Sequence, residues 1–309
     1  MVNPQEKEKP IETAKRGMRI AASMKSRNFR QVTLPLSNFY EAHFLNEKEL
    51  VLIHLKKIDI YDCEKEKTVR TIVDKNMINR TAISPDQDIA VAGLDSPIFI
   101  WDSKKCSIKS SLKGHQGTIH NTLSFLSPRH LISATNDGSI KIWDVSTEHA
   151  CAVIKNKNAD LITRISQSTF AMSNREQPII EIVDVETQKT FSNLHGHEKS
   201  IQCLTHLENE TSLVGSSSLD YTIKFWNVTS EKCINTFQEK SLCRSLIGLP
   251  NHAFAAIIEE RYLRISTIAG KNLMLEPLKD HGSFKVSYNK NGVVAISGMP
   301  SALLLKFKH

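Results

Sequence analysis

No apolar run of about 18 residues or more, the length a membrane-spanning helix needs, occurs in this 309-residue chain. Its opening residues, MVNPQEKEKP, are charged where a secretory signal turns apolar. Neither a spanning segment nor a leader is expected. The six cysteines (Cys63, Cys106, Cys151, Cys203, Cys233, Cys243) include no CxxC pair. That scatter fits reduced thiols better than a disulfide framework and implies the cytoplasm or the nucleus. No GxxxxGK[ST] loop and no HExxH appears, so nucleotide hydrolysis and zinc proteolysis have no motif to rest on. Twelve Gly and ten Pro are too few for a collagenous or mostly disordered chain.

What is present is a chain 40% hydrophobic and 24% charged, able to bury a sizeable core. Its formal charge of +7 is concentrated at one end: the segment from Met1 to Arg30 holds eight Lys or Arg against three Glu, leaving +2 for the remainder. The basic character is largely a property of that arm.

An internal repeat organises the rest. AGLDSPIFIWD (92–102), SATNDGSIKIWD (133–144) and SSSLDYTIKFWN (216–227) each place an Asp six residues before a Trp, with apolar alternation between them. Asp at a tight turn followed by every-second-residue apolar spacing reads as a hairpin with one face in a core. Degenerate strand ends fall at Tyr61-Asp62, Val183-Asp184, Ser266-Thr267 and Phe307-Lys308, which makes seven. Successive anchors are 40, 42, 40, 43, 40 and 41 positions apart, the length of a four-stranded propeller blade. The pairs Gly114-His115 and Gly196-His197 stand at almost the same interval upstream of Trp143 and Trp226, with Asp280-His281 a weaker third copy.

On these residues the chain resembles the WD-repeat family. The resemblance implies an all-β, seven-bladed WD40-type propeller over residues 29–309, preceded by an arm over 1–28. It further implies a hydrogen-bonded blade network of His, Ser, Asp and Trp: His115, Ser133, Asp137 and Trp143 in one blade, His197, Ser216, Asp220 and Trp226 in another. Asp95 and Trp101 match in part. The last anchor, Phe307, leaves its blade without an outer strand, while FRQVTLPL (29–36) has no partner in its own repeat. By the closure known for the family, the segment near Phe29 to Leu34 is expected to complete that blade and remove an exposed edge.

Three constellations invite chemistry. His115, Ser133 and Asp137 include the residue types of a nucleophilic triad, but the same set recurs at matching places in a second blade, as expected of a structural network. His195 and His197 stand two residues apart, yet no Cys or carboxylate is spaced to join them around a metal, and no cofactor is expected. Cys106, Cys151 and Cys233 follow the Trp residues of their blades by five, eight and seven residues, where an outer strand begins, and read as small apolar residues.

The functional expectation is a non-catalytic scaffold for protein–protein interaction, a subunit of a larger assembly. By the same resemblance, partners meet the loops around the Gly-His and Asp positions, where Leu94, Gln116, Thr118, Asn136, Glu198, Ser200 and Leu219 are the candidates. Leu94 and Leu219 are expected to contribute to an apolar patch on one rim. The arm has two readings, a solvated coil or a short basic amphipathic helix opened by Pro10 and Glu12 with Ile11, Ala14 and Met18 on one side. The second supports contact with nucleic acid or an anionic surface. Recognition of a modified or ubiquitin-like protein stands as a further alternative, although the loops show no arginine cluster.

Overall fold

The structure is a computed structural model. It describes residues 29–34, 39–94, 96–115, 117–119, 122–135, 138–155, 157–174, 176–207, 212–259, 261–278, 285–289, 293–298 and 301–307. The basic arm over 1–28, Asp95, Gln116, Asn136, Asp137 and the pair Asp280-His281 lie outside the described residues.

Every regular element among the described residues is a strand. The chain opens with β1 (Phe29–Leu34). Six antiparallel sheets of four consecutive strands follow. They are β2–β5 (Glu41–Phe44, Glu49–Ile53, Lys57–Asp62, Lys67–Val73), β6–β9 (Ile78–Ile83, Ile89–Gly93, Ile98–Asp102, Ser107–Leu112) and β10–β13 (Thr122–Phe125, His130–Ala134, Ile140–Asp144, His149–Ile154). Next come β14–β17 (Leu161–Arg164, Thr169–Ser173, Ile180–Asp184, Thr190–Leu194), β18–β21 (Ile201–His206, Leu213–Ser218, Thr222–Asn227, Lys232–Gln238) and β22–β25 (Cys243–Leu249, Ala253–Ile258, Tyr262–Thr267, Asn272–Pro277). A seventh sheet has the order β1-β28-β27-β26, from β26 (Lys285–Tyr288), β27 (Val293–Gly298) and β28 (Ser301–Phe307). In it β1 runs antiparallel to β28, with Phe29 opposite Phe307 and Leu34 opposite Ala302.

The first strands of neighbouring sheets lie against one another, β6 on β10, β10 on β14, β14 on β18, β18 on β22, β22 on β26 and β26 on β2. The architecture is an all-β propeller, with a first strand of each blade innermost. Hydrogen bonds tie blade to blade: Asn79 Nδ2 to the Ile119 carbonyl (2.6 Å), Thr122 Oγ1 to the Asp160 carbonyl (3.2 Å), the Gly248 amide to Thr205 Oγ1 (3.1 Å) and the Val286 amide to Ser245 Oγ (3.0 Å). Between the first and last sheets the Ala42 amide donates to Ser297 Oγ at 3.0 Å, and Glu41 approaches the Lys285 ammonium at 4.0 Å.

The anchor spacing has a local cause. Each of Asp62, Asp102, Asp144, Asp184 and Asn227 accepts backbone N–H groups two or three residues on, at 2.7–2.9 Å for the shortest in each turn. Such Asx turns re-create a backbone turn with a side chain. Four residues after each of them the chain enters the left-handed region, at Glu66, Cys106, Glu148, Gln188 and Glu231. A β-bulge falls immediately before each corresponding anchor, Tyr61, Trp101, Trp143, Val183 and Trp226, and also before Ser266. One bulged turn thus marks the regular and the degenerate blades alike.

Candidate functional site

In the β18–β21 blade the indole N–H of Trp226 donates to Ser216 Oγ at 2.8 Å. His197 Nε2 lies 2.7 Å from the same hydroxyl, and His197 Nδ1 lies 2.8 Å from Asp220 Oδ2. An indole can only donate, so the serine passes its own hydrogen to Nε2 and leaves the imidazole proton on Nδ1, facing the carboxylate. Burial pushes the His197 pKa down, outweighing the upward pull of Asp220. A neutral ring is the form this relay needs. Asp220 is held at about 2: burial raises it, but hydrogen bonds from Thr222, the Glu198 amide and His197 more than offset that.

The network positions two loops at one end of the blade. Asp220 Oδ2 accepts the Glu198 amide at 3.0 Å, Asp220 Oδ1 accepts the Thr222 amide at 2.8 Å, and the Leu219 amide donates to the Ser200 carbonyl at 2.9 Å. Gly196 is required here. Its φ is +144°, and a Cβ would meet the Trp226 ring at 3.2 Å. In the β10–β13 blade, His115 Nε2 is 2.6 Å from Ser133 Oγ, and the Trp143 indole donates to that hydroxyl at 2.8 Å. Its fourth expected member, Asp137, is outside the described residues.

The Ser–His–Asp order around His197 matches that of a nucleophilic triad, but the geometry does not offer a nucleophile. Ser216 and Ser133 are both 0% exposed, and each already accepts an indole N–H. The relay fixes the fold and the loops.

Of the candidate face residues, Leu94 and Glu198 are exposed, while Thr118, Ser200 and Leu219 are half-buried. Gln116 and Asn136 lie outside the described residues. Leu94 and Leu219 do not share a patch: the β10–β13 and β14–β17 sheets stand between their blades, each adding roughly 10 Å. Periodicity aligned the two leucines in sequence, and the ring sets them apart. His195 is exposed beside a His197 whose two nitrogens are both engaged. Among the described residues no group of three or more His, Cys, Asp or Glu side chains is placed to hold a metal. Cys151 and Cys233 are exposed and Cys106 is half-buried, so the outer-strand cysteines are not the apolar core residues their spacing implied. The outer strand is solvated on one side, which spacing alone does not reveal.

Sequence reasoning missed a groove beside the His197 network. Tyr221, Lys240, Ser241, Leu242, Arg244 and Glu259 line it, between the β18–β21 and β22–β25 blades. Tyr221 is 45% exposed and has φ +64°, where the matching position of the β10–β13 blade is Gly138 at +77°. A bulky residue at a turn position that favours glycine was the available signal. Ser241 Oγ donates to Glu259 at 2.8 Å, which orients that carboxylate.

Comparison with known proteins agrees with this architecture. A family model described as "WD domain, G-beta repeat" matches residues 106–144 and 188–227, the two segments that end on the Trp143 and Trp226 blade motifs. The chain is 23% identical over 195 residues to the ribosome biogenesis protein YTM1 of Meyerozyma guilliermondii, an alignment covering 59% of this chain and 41% of that protein. It is 32% identical over 175 residues to WD repeat-containing protein 1-B of Xenopus laevis, covering 53% of this chain and 28% of that one. The chain thus spans less than half the length of these relatives. A chain in a crystal structure of the mitotic checkpoint complex superposes with a TM-score of 0.78 over 91% of each chain, at 14% sequence identity, and so shares the fold. Fold and blade networks together define a propeller built from Trp-anchored repeats. The chain carries WD repeats in two of its blades and is similar to WD-repeat proteins.

Proposed function

We propose that this protein is a non-catalytic scaffold that docks partner proteins on the loop face carrying the Gly-His and turn-Asp positions. The ring comprises seven blades, with β1 closing the last. The proposal takes residues 29–309 as that ring and 1–28 as a separate arm, acting inside the cell in the cytoplasm or the nucleus. Seven four-stranded sheets and the six-residue register of β1 on β28 support the closure. Deleting residues 29–36 is expected to lower the melting temperature of the whole ring; an unchanged melting curve defeats the closure.

The observation that carries the docking reading is the His197–Asp220 relay. It rigidifies the loops bearing Glu198, Ser200, Leu219 and Tyr221 without offering a reactive group, and pre-set loops reduce the ordering entropy of association. Affinity purification of the full chain tests it, comparing Tyr221→Ala with Leu94→Glu, and with Glu64→Ala in a turn at the opposite end of a blade. Partners lost with the first two and kept with the third support the loop face. Equal recovery from all three defeats it.

A second reading, association with RNA through the basic arm, draws on the eight Lys or Arg between Met1 and Arg30 and on similarity to a ribosome biogenesis protein. Nuclease-sensitive recovery that falls steeply with salt and disappears when residues 1–26 are removed would favour it.

A further inference from the structure

The β18–β22 seam holds a pair of cysteines from different blades. Cys203 lies on β18 and Cys243 opens β22, and the two strands pack side by side as the innermost strands of adjacent blades. Cys203 Sγ is 3.7 Å from the Cys243 carbonyl oxygen, and Ser217 Oγ donates to that same carbonyl at 3.1 Å. Cys243 Sγ donates to the Ser245 carbonyl at 3.3 Å, and the two thiols lie close enough to shift one another's titration. Cys243 is 3% exposed, whereas Cys203 keeps part of its surface open. Neither sulfur takes part in the blade relay.

We propose that Cys203 and Cys243 are a peroxide-reactive thiol pair that closes into a disulfide across the seam, stapling one blade to the next. The neighbouring Cys243 thiol, with the Ser217 hydroxyl and the Lys285 ammonium close by, holds the Cys203 thiol below its ordinary range against the opposing effect of burial. The Cys243 thiol is pushed up by its Cys203 neighbour and by burial. Cys203, the more open of the two residues and the one with the lowered thiol, is the nucleophile, and Cys243, 3% exposed, is the resolving thiol.

The oxidant is hydrogen peroxide. The Cys203 thiolate attacks one peroxide oxygen, the O–O bond breaks, and the departing hydroxide takes a proton and leaves as water. Cys203 is then a sulfenic acid. Cys243 loses its proton and attacks the Cys203 sulfur, the S–S bond forms, and the sulfenic oxygen leaves with that proton as a second water. Two thiols and one peroxide thus yield one disulfide and two waters. Leu242 and Arg244, which flank Cys243, also line the Tyr221 groove, so oxidation acts on the strand that shapes that part of the docking face.

The test uses the full chain treated with substoichiometric hydrogen peroxide, digested without reduction and mapped by mass spectrometry. The expected product is a Cys203–Cys243 linked peptide pair, two hydrogens lighter than the free peptides, reversed by a dithiol reductant and accompanied by a raised melting temperature. It should appear before the exposed Cys151 and Cys233 are oxidised. Cys243→Ser should strand Cys203 as a sulfenic acid that dimedone labels, and Cys203→Ser should give neither link nor label at Cys243. If Cys151 and Cys233 oxidise while the pair stays reduced, or the linked form melts at or below the reduced one, the proposal is overturned. Mapping of the unmodified chain decides the matter even where a variant fails to fold.

Discussion

The β18–β21 and β6–β9 blades reach the same backbone by different means. In the first, Trp226 is buried at 1% exposure and its indole N–H is bonded to Ser216. In the second, Trp101 occupies the same bulged position before its turn, but its buried indole nitrogen has no partner among the described residues. Val91 stands where the serine would be, paired with Phe99 as Ser216 is paired with Lys224. These two blades share the Asx turn, the bulge and the apolar alternation and differ in the polar relay. The polar relay is an addition that pins the loops, and its absence leaves one donor unsatisfied.

The largest effect that tests this contrast is removal of the rings. Trp226→Ala should cost about 3–5 kcal/mol in urea unfolding, and Trp101→Ala, whose side chain is only partly buried, roughly half as much. Equal losses would break the comparison. Next, Ser216→Ala leaves the Trp226 donor and His197 Nε2 without their shared partner, at a cost of about 1–3 kcal/mol. The reciprocal change, Val91→Ser, gives Trp101 an acceptor in exchange for apolar volume and should lie within about 1 kcal/mol of the parent. A loss as large as that of Ser216→Ala would show that Val91 matters for packing alone.

The smallest expected effect is on pH dependence. The folded pKa of His197 lies below its ordinary 6.5, so the unfolded chain takes up the proton more readily. The stability contributed by the neutral ring is present above pH 6.5 and declines as pH falls below that value and through the folded pKa. Asp220, lowered from 3.8 to about 2, contributes stability present above pH 3.8 and lost as pH falls towards 2. Melting curves between pH 7.5 and 5 should therefore slope less in His197→Asn than in the parent; identical slopes would remove the relay from the account (about one proton is at stake).

Much of the fold was legible in the order of residues. Asp before Trp, apolar alternation and a period of about 40 residues locate the hairpins. The aspartates that follow the anchor tryptophans, Asp102 and Asp144, are turn caps. The relay residues His197, Ser216, Asp220 and Trp226 were legible for the same reason, since a repeated set marks a repeated job. The Tyr221 groove was not. Its lining comes from three connections in two blades, and only the packing of those blades brings Tyr221, Lys240 and Glu259 together. The supposed Leu94–Leu219 patch failed from the opposite cause, because equal positions within a repeat become distant positions around a ring.

By itself the sequence determined where each hairpin turns, which alternate residues face a core and which four side chains form a relay, because those depend on spacings within one repeat. Tertiary structure alone decided which blades are neighbours, which loop residues share a groove, and that Cys203 meets Cys243 across a seam between two repeats. Contacts between repeats are set by the rotation from one sheet to the next, and no residue spacing encodes that rotation.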